Sequence, residues 1–558
     1  MADAVVIGSG PNGLVAANVL ASAGWDVLVL EAAATPGGAV ASDRGVHPDY
    51  VSDLCSSFYP LAVASPAMRA LELEKHGLEW RHARAVMAHP LADGRCAVLE
   101  HDPERTAAGL ERFGAGDGDS WMRLYGLWSD LGDDVMKALA TPFPPVRAGL
   151  GMARRLRAAG GLRAARFLTL PVRRVGEEDF TGPGGPMLLA GTALHADLAP
   201  EAAGSGAFGW VMAMLGQRYG WPAPLGGAGA LTDALVRRFT AQGGTLRCGT
   251  AATRIVIREG RAVGVLTSDG DAVRAARAVL ADVSAPALYN GLVGWEHLSA
   301  GLRDDLRRFQ WDYATFKVDW ALSGPVPWAA PETARAGTVH LGDDMADLTR
   351  FAAQLATGHV PDNPFTLVGQ MTTTDPSRSP AGTESLWAYT HVPRYVVGDA
   401  GPAGITGAWD ERDDLAMAAR LEERIERYAP GFRSRVVARR ILSPRALERH
   451  DANLSQGALN GGTAALHQQL VFRPTPGLGR PETPIASLYL ASASAHPGGG
   501  VHGACGANAA RAALRASHPV LRHVLPRLSR MLTPSRPPRA PVPPAPSREA
   551  RERSHAAL

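Results

Sequence analysis

The alternation of apolar and polar segments in the first 31 residues predicts a strand, a helix and a second strand in direct succession. The short apolar run Ala4 to Ile7 is typical of a buried parallel strand. After a turn at residues 8–13, an Ala/Leu/Val-rich segment that ends at Gly24 has the length and composition of a buried helix. A second apolar run, Val27 to Leu30, ends at Glu31 and completes a βαβ unit.

The turn Gly-Ser-Gly-Pro-Asn-Gly gives this unit a candidate chemistry. Gly8 allows the tight turn, Gly10 lets backbone N–H groups approach a pyrophosphate, and Gly13 lets the helix pack on the strand. Glu31 is placed to accept hydrogen bonds from ribose hydroxyls. GxGxxG strings also occur by chance in a glycine-rich chain, but here strand, turn, helix, strand and acid follow in order. The unit therefore predicts a dinucleotide site, and the alternative is a fold that has kept the unit without its nucleotide.

Two later segments return to the same pattern. From about residue 222 the sequence predicts a helix and three short strands separated by turns, and near the C-terminus it predicts a strand, a glycine-rich loop and a helix. Between them, residues 66–221 have mostly helical periodicity broken by Pro and Gly, and residues 290–455 are mixed. The predicted helices are 231–242, 413–428 and 504–514, and the predicted strands are 253–258, 262–267, 278–281, 314–322, 385–391 and 488–491.

Length and composition set the class of protein. The chain has 558 residues, 46% of them apolar and 20% charged, which is ordinary for a globular protein of two or three compact regions. It has no run of 18 apolar residues and no basic region before the first strand, so we expect a cytoplasmic location. The four cysteines are scattered, without CxxC or metal-type spacing, which fits a reducing compartment and gives no redox disulfide.

Charge is concentrated in two places. The net charge is +3, yet residues 515–558 hold nine Arg and two acids together with many Pro, so we expect 516–558 to be a disordered tail. Residues 138–176 hold eight Arg and no acid, interleaved with apolar residues. This stretch predicts either peripheral contact with an anionic membrane or a solvated helix pair. Basic stripes with interleaved aromatics are lacking, so we expect no nucleic-acid partner.

The second glycine loop, at residues 492–503, suggests which dinucleotide binds. Three consecutive glycines, 498–500, precede a helix, where backbone N–H groups and the positive helix end favour negative charge. No intact second βαβ unit lies between this loop and the first one. The arrangement suits a long, extended FAD whose ring system reaches the second loop. The alternative is a plain turn at the start of a helix.

At this point the chain resembles the phytoene desaturase-like FAD oxidoreductases, including a subgroup with a pyridine nucleotide-disulfide oxidoreductase domain, and more distantly the flavin amine oxidases. The matching stretches are AVVIGSGPNGLVAA, VLVLEAAATPGGAV, DLCSSFYPLAVASP, GGAGALTDAL, LWAYTHVP and LYLASASAHPGGGVHGACGANAARAAL. The resemblance implies an α/β fold in which a Rossmann-type FAD-binding domain is interleaved with a mixed α+β substrate domain. The expected FAD domain comprises 1–65, 222–290 and 455–515, and the expected substrate domain 66–221 and 291–454.

The resemblance also implies which residues hold FAD. The expected contacts to the ADP and pyrophosphate half are Gly8, Gly10, Pro11, Asn12, Gly13, Glu31, Ala32, Gly37 and Gly38. Ile255 would meet the adenine through its backbone, and Gly499, Gly500 and Val501 would lie beside the isoalloxazine. Ser492 stands where the family usually has a glycine, so the ribityl contact is expected to differ there.

The sequence offers fewer candidate catalytic residues than FAD-binding residues. Hydride removal from a hydrocarbon depends mostly on the orientation of the substrate and on a tunnel that excludes water. Strand alternation places Trp387, Tyr389 and His391 on one face, either lining a cavity or in plain core packing. Lys317 shares a face with Asp319 and could position a proton near flavin, although a surface ion pair is the expected arrangement.

Three residues of the second glycine loop and the following helix complete the set of candidates. His496 and His502 flank the loop and are candidates for proton transfer or a structural role. Cys505 lies in the first helical turn, where the helix end favours a thiolate, and covalent attachment to FAD is the alternative that a thiolate would allow.

Together these features predict an FAD-dependent enzyme that desaturates or isomerises a hydrophobic small molecule, such as a polyene, terpenoid or lipid, by hydride transfer to flavin N5. Oxygen or another acceptor would reoxidise the flavin. The alternatives are an amine or alcohol oxidase and a non-catalytic scaffold that keeps the FAD fold. The sequence leaves the substrate, the acceptor and the oligomeric state open.

Overall fold

The structure, a computed structural model, describes residues 1–142, 144, 151 and 161–517. Residues 1–514 form one compact unit, and residues 515–558 are a second, of which only 515–517 are described. The predicted disordered tail therefore falls almost wholly outside the described residues.

Strands make up two large sheets and several small ones. In chain order the strands are β1 (Ala2–Ile7), β2 (Val27–Leu30), β3 (Ser42–Asp43), β4 (Ser52–Asp53), β5 (Trp80–Arg81), β6 (Ala85–Pro90), β7 (Cys96–Leu99), β8 (Ala223–Pro224), β9 (Thr245–Arg247), β10 (Ala252–Arg258), β11 (Arg261–Thr267), β12 (Ala272–Ala281), β13 (Ala314–Leu322), β14 (Ala336–Leu341), β15 (His359–Val360), β16 (Thr366–Gln370), β17 (Glu384–Val392), β18 (Gly398–Asp399), β19 (Val436–Leu442) and β20 (Leu488–Leu490).

Helices cover both large sheets. The described α-helices are α1 (Pro11–Ser22), α2 (Pro60–Ala64), α3 (Pro66–Arg69), α4 (Pro103–Leu110), α5 (Asp117–Ala140), α6 (Leu162–Phe167), α7 (Val172–Asp179), α8 (Gly184–Leu194), α9 (Ser205–Tyr219), α10 (Gly229–Ala241), α11 (Ala300–Arg307), α12 (Met345–Ala356), α13 (Met371–Thr374), α14 (Glu411–Tyr428), α15 (Pro444–His450) and α16 (Ala504–Ser517).

The first large sheet joins strands from distant parts of the chain. Its order is β10-β11-β12-β1-β2-β9, and β20 pairs with the second half of β12. β1 is parallel to both neighbours, so that Val5 lies opposite Leu28 and Val279, and β20 is parallel to β12. Because parallel strands end at the same edge, the loops after β1, β12 and β20 meet there.

The second large sheet is mixed and carries the other cores. Its order is β19-β13-β17-β16-β14-β6-β7. One face packs against helices α5, α8 and α9 through a cluster that includes Trp121, Leu188 and Trp210. The other face packs against α14 through Phe316, Trp320 and neighbouring apolar residues. Every residue of β13 and β14 is buried, which fits packing on both faces of the sheet.

The structure confirms each helix and strand predicted from the hydrophobic pattern, with ends shifted by a few residues. The interpretation of residues 66–221 as mostly helical missed three strands, β5, β6 and β7, of which β5 pairs with β8 and β6 pairs with the distant β14. β6 and β7 also pair with each other as a hairpin, and the Asp93-Gly94 turn between them was a local signal. The pairing of β6 with β14, across more than 240 residues, leaves no such signal.

Candidate active site

A cavity of about 370 Å³ lies at the edge where the parallel strands of the first sheet end. Residues 10–12 of the first glycine turn line one part of it, and residues 499–501 of the second glycine loop line another. Residues 55–61, side chains from the second sheet and residues of the helical region between 195 and 221 also line it. Its size is typical of a small-molecule site. The two glycine loops, almost 500 residues apart in sequence, thus bound one continuous space.

Close backbone contacts explain the glycines of the first turn. A Cβ at Gly13 would lie 2.2 Å from the carbonyl oxygen of Gly8, and Gly8 itself has a φ of +91°. A Cβ at Gly10 would lie 2.8 Å from Oδ2 of Asp282. The side-chain oxygen of Asn12 is buried beside the cavity with no partner among the described residues. The start of α1 therefore presents backbone and an unused acceptor to the cavity.

Glu31 is held at the tip of β2 by the first turn. Its Oε2 accepts hydrogen bonds from the Ser9 backbone N–H at 2.8 Å and the Ser9 hydroxyl at 2.7 Å. The N–H of Gly37 donates to the Ser9 carbonyl at 3.1 Å, which folds the second loop back onto the first. Gly38 follows Gly37 in this second loop. Ala32, two residues after the end of β2, is exposed.

Ile255 has a different setting. It lies in β10, opposite Val265 of β11, and its side chain is buried in the core of the first sheet. It is not among the residues that line the cavity. Its backbone contact with adenine stays a prediction.

Asp282 is a site residue that the sequence reading missed. It follows β12 directly, and its Oδ2 accepts the Gly13 N–H at 2.7 Å. Burial raises the pKa of Asp282 to about 7, against the lowering effect of that hydrogen bond, and the charges of Asp451 and Glu31 raise it as well. Its position at the end of a parallel strand beside β1 was the available signal, because ligands bind at such strand ends.

We expect the stability of the protein relative to its Asp282→Asn variant to fall as pH rises from 4 to 7. The unfolded chain loses this proton near the usual pKa of 3.8, whereas the folded protein holds it up to about 7. The difference in the free energy of unfolding should change by about 1.4 kcal/mol per pH unit and level off above pH 7. Urea unfolding of both proteins without cofactor, between pH 4.5 and 8, measures it. A difference that does not change with pH would contradict this assignment.

The second glycine loop runs from β20 to α16. Gly498 and Gly500 have φ values of +116° and +99°, which L side chains rarely adopt. Ser492 lines the cavity, and its hydroxyl accepts the backbone N–H of Ser494 at 3.2 Å. A Cβ at Gly499 would lie 2.6 Å from the side-chain oxygen of Asn460, so the loop surface toward the cavity is backbone. Val501 is the largest side chain that the triglycine segment and its successor contribute to the lining.

The two histidines beside this loop are engaged elsewhere. Nδ1 of His502 accepts the backbone N–H of Ala504 at 3.0 Å, at the start of α16, and burial lowers its pKa to about 4. Nε2 of His496 lies 3.0 Å from the carbonyl oxygen of Thr141, and burial lowers its pKa as well. Neither lines the cavity. Their role in proton transfer stays a prediction, and the geometry supports the structural alternative.

Cys505 is a buried thiol. Its Sγ lies 3.4 Å from the carbonyl oxygen of Ala495 and 3.6 Å from that of Gly498. Burial raises its pKa to about 12. The expected thiolate is therefore wrong, because loss of water outweighs the favourable helix end.

The expectation of a surface pair between Lys317 and Asp319 is wrong. Both side chains are buried, at 2% and 0% exposure, and they form an ion pair. Nζ of Lys317 also donates to the carbonyl oxygen of Asp53 at 2.8 Å, and Asp319 accepts from Arg440 at 2.9 Å. β13 is covered on this face by residues 42–53, which strand alternation alone does not reveal. Lys317 does not line the cavity, so its role in catalysis stays a prediction.

Two of the three aromatic candidates on β17 line the cavity. The rings of Trp387 and Tyr389 are stacked, with centroids 5.8 Å apart, and both belong to the cavity wall. Burial raises the pKa of the Tyr389 hydroxyl, so Tyr389 is a neutral wall residue at physiological pH. His391 lies on the same face, with Nε2 3.1 Å from Oδ1 of Asp197, and is not part of the wall.

Much of the basic stretch at 138–176, including four of its eight arginines, lies outside the described residues. Among those described, Arg166 and Arg174 pair with Glu178, and Arg173 pairs with Glu201. These ion pairs neutralise arginine charges that would otherwise attract an anionic membrane. Within the described ranges, no helix is long and apolar enough to cross a bilayer.

Comparisons with known proteins complete the description of the site. The model of the family described as flavin containing amine oxidoreductase matches residues 12–308, more than half of the chain. The chain is 28% identical over 553 residues to pyridine nucleotide-disulfide oxidoreductase domain-containing protein 2 of Rattus norvegicus, covering 92% of this chain and 93% of that protein. It is 28% identical over 298 residues to phytoene desaturase (lycopene-forming) of Pseudescherichia vulneris, covering 52% and 55%.

A solved structure has the same fold. Cyclohexylamine oxidase from Brevibacterium oxydans IH-35A matches with a TM-score of 0.56 at 16% identity, covering 92% of this chain and 98% of the oxidase.

Proposed function

The chain belongs to the family of flavin-containing amine oxidoreductases and is an FAD-dependent oxidoreductase, and from this premise we propose that it desaturates or isomerises a hydrophobic small molecule in the cavity described above. The predicted fold class, enzyme class and cofactor are thereby confirmed. The substrate, its contacts and the residues that hold FAD belong to the proposal.

One observation carries the proposal: a single cavity is lined both by the start of α1 and by the triglycine loop before α16. The residues fit FAD at each end. The backbone at Gly10, where α1 begins, suits the pyrophosphate half, with Glu31 at the ribose. The loop at 499–501 offers a flat backbone surface for the ring system. When bound, FAD supplies a two-electron acceptor for a hydride taken from a C–H bond.

The chain's own contribution is a dry and shaped wall. Phe58, Phe208, Met212 and Trp221 line the cavity together with the stacked pair on β17. Such a wall binds an apolar substrate by burying its surface, excludes water and orients one C–H bond. Two carboxylates also line the cavity, Asp282 beside the first glycine turn and Asp451 beside Gly38. Neither belongs to the apolar wall, which supports an uncharged hydrophobic substrate.

Oxidation of an amine or alcohol is the second candidate. The stacked Trp387 and Tyr389 favour it, because an aromatic pair beside the flavin suits an amine substrate. This alternative predicts stoichiometric hydrogen peroxide from amines in the presence of oxygen. A scaffold without turnover, the third reading, predicts weak FAD binding or flavin that no substrate reduces.

We expect the purified protein to be yellow, and its flavin to bleach when hydrophobic substrates are added without oxygen. Anaerobic titration with polyenes, terpenoids, fatty-acid derivatives and amines, followed by flavin absorbance, measures this. Bleaching by amines alone would favour the oxidase alternative, and a colourless protein that FAD does not reconstitute would overturn the proposal.

Two glycine variants show whether the triglycine loop is the flavin contact. Gly500→Ala places a Cβ at positive φ, 2.6 Å from Leu61, beside the cavity, and should lose most of the bound FAD. Gly270→Ala introduces the same backbone strain at a φ of +84° in open space and should keep FAD while losing about 1 kcal/mol of stability. Equal FAD content in the two variants would contradict the placement of the flavin.

A further inference from the structure

The apolar wall of the cavity contains a pair of histidines in direct contact. His195 follows the last turn of α8 and lines the cavity, and His340 lies behind it on β14. Their Nε2 atoms are 2.7 Å apart and their ring centroids 4.8 Å. The edge of Trp221 packs on His195 at a centroid distance of 5.1 Å. Nothing in the proposed flavin chemistry uses this pair.

A contact between two Nε2 atoms holds one proton when both rings are neutral, because one nitrogen must donate and the other accept. Both rings are neutral at physiological pH, because burial lowers the pKa of His195 to about 3 and holds the pKa of His340 well below its usual range. The tautomers of the two rings are therefore coupled, and the position of one proton fixes what His195 presents to the cavity.

The surroundings of His340 assign that proton. Its Nδ1 is buried without a partner among the described residues and lies 2.3 Å from the position that a Cβ on Gly191 would take. An N–H there would be an unpaired buried donor against backbone, which is rare in proteins. The proton of His340 thus belongs on Nε2, where it donates to His195. His195 then keeps its own proton on Nδ1, and this ring lines the cavity.

Thr338 adds a second unused group to the same wall. It lies two residues before His340 on β14, so the two side chains share a face of the strand. It is 1% exposed, it lines the cavity, and its hydroxyl has no partner among the described residues. An unpaired hydroxyl in an apolar wall costs free energy unless a ligand supplies its partner.

We propose that His195 and Thr338 form a binding site for one carbonyl oxygen of the substrate. A carbonyl oxygen has two lone pairs and can accept from both the Nδ1–H of His195 and the hydroxyl of Thr338. The substrate is then an oxygenated hydrophobic molecule, such as a terpenoid or fatty ketone, rather than a pure hydrocarbon. This inference rests on the proposed function, since it assigns the substrate class of the same cavity.

The test compares ligands that share a carbon skeleton. Carvone and limonene differ at one ring carbon, which is a carbonyl in the first and a methylene in the second, and 2-tetradecanone and tetradecane form a longer pair. Affinity is measured on the FAD-bound protein by equilibrium dialysis. In the wild type we expect the ketone of at least one pair to bind about 10-fold more tightly than its hydrocarbon, as one to two hydrogen bonds in an apolar site provide.

Variants locate the effect. His195→Phe keeps an aromatic ring and Thr338→Val keeps the shape of the side chain, and each should remove most of the preference for the ketone. Phe208→Leu, on the same wall, should weaken the ketone and the hydrocarbon equally. If His195→Phe does not fold, the preference for the ketone is measured on Thr338→Val alone, provided that the purified variant has a normal FAD content.

The inference is overturned if neither ketone is preferred, if neither pair binds, or if the preference survives in both variants. Should hydrocarbons still bleach the flavin without oxygen in that case, the proposed function stands and only the carbonyl site fails. Protein that holds no FAD would instead remove the proposed function itself.

Discussion

Replacing Gly506 by Ala will destabilise the protein by about 3 kcal/mol and empty the cavity of its cofactor. Gly506 lies in the first turns of α16, where a Cβ would sit 1.9 Å from the carbonyl oxygen of Asn12 and 2.7 Å from its carbonyl carbon. Both obstacles are backbone, so no side chain can rotate away. α16 and the start of α1 must separate, and this moves the two glycine loops apart.

Gly126→Ala is the matched control for this variant. Gly126 is also in a helix, α5, but it is exposed and a Cβ there would meet nothing within 4 Å. Alanine should therefore raise stability by about 0.5–1 kcal/mol, because it loses less backbone entropy on folding. Urea unfolding and flavin content of both variants measure the contrast. A Gly506→Ala protein as stable and as yellow as the wild type would show that the two helices do not touch as described.

Replacing Arg378 by Met will cost about 3–5 kcal/mol of unfolding free energy. Its guanidinium is fully buried and donates to Oδ1 of Asp53 at 3.0 Å and to Oδ2 of Asp375 at 3.1 Å. The same carboxylates accept the backbone N–H groups of Ala228 and Gly226, at the start of α10. Without Arg378, two buried carboxylates lose their cation, and the loop before α10 loses its anchor.

The control is an exposed ion pair. Arg254 and Glu296 are 59% exposed each, with Nη2 3.2 Å from Oε1. Arg254→Ala should change stability by less than about 1 kcal/mol, because water and salt screen the pair. Urea unfolding of the two variants under identical conditions gives both values. A cost below 1 kcal/mol for Arg378→Met would mean that the buried charges are solvated in a way that the structure does not show.

The sequence predicted best what depends on local order. The βαβ unit ending at Glu31 and the loop-to-helix segment at 498–514 follow from hydrophobic period and glycine spacing, and both have the expected secondary structure. Strand alternation also placed Trp387 and Tyr389 on one face correctly.

What the sequence missed depends on which elements meet. Lys317 was expected at the surface because alternation identifies a face of β13 but not what covers it. Asp282 has no glycine motif around it and gains its role only from pairing between β1 and β12. His195, which directly follows α8, and His340, on β14, are 145 residues apart, so no spacing rule connects them.

The central place of β12 in the first sheet, between β1 and the late strand β20, has a consequence for biosynthesis. β1 leaves the ribosome first, yet residues 488–501 must also be made before the cavity has both of its glycine walls. At about 5–20 residues per second this takes roughly 25–100 s. During that interval the nascent chain carries an unfinished sheet edge, so chaperone occupancy should matter most before β20 is made, and FAD can contact both glycine loops only after residues 488–501 have left the ribosome.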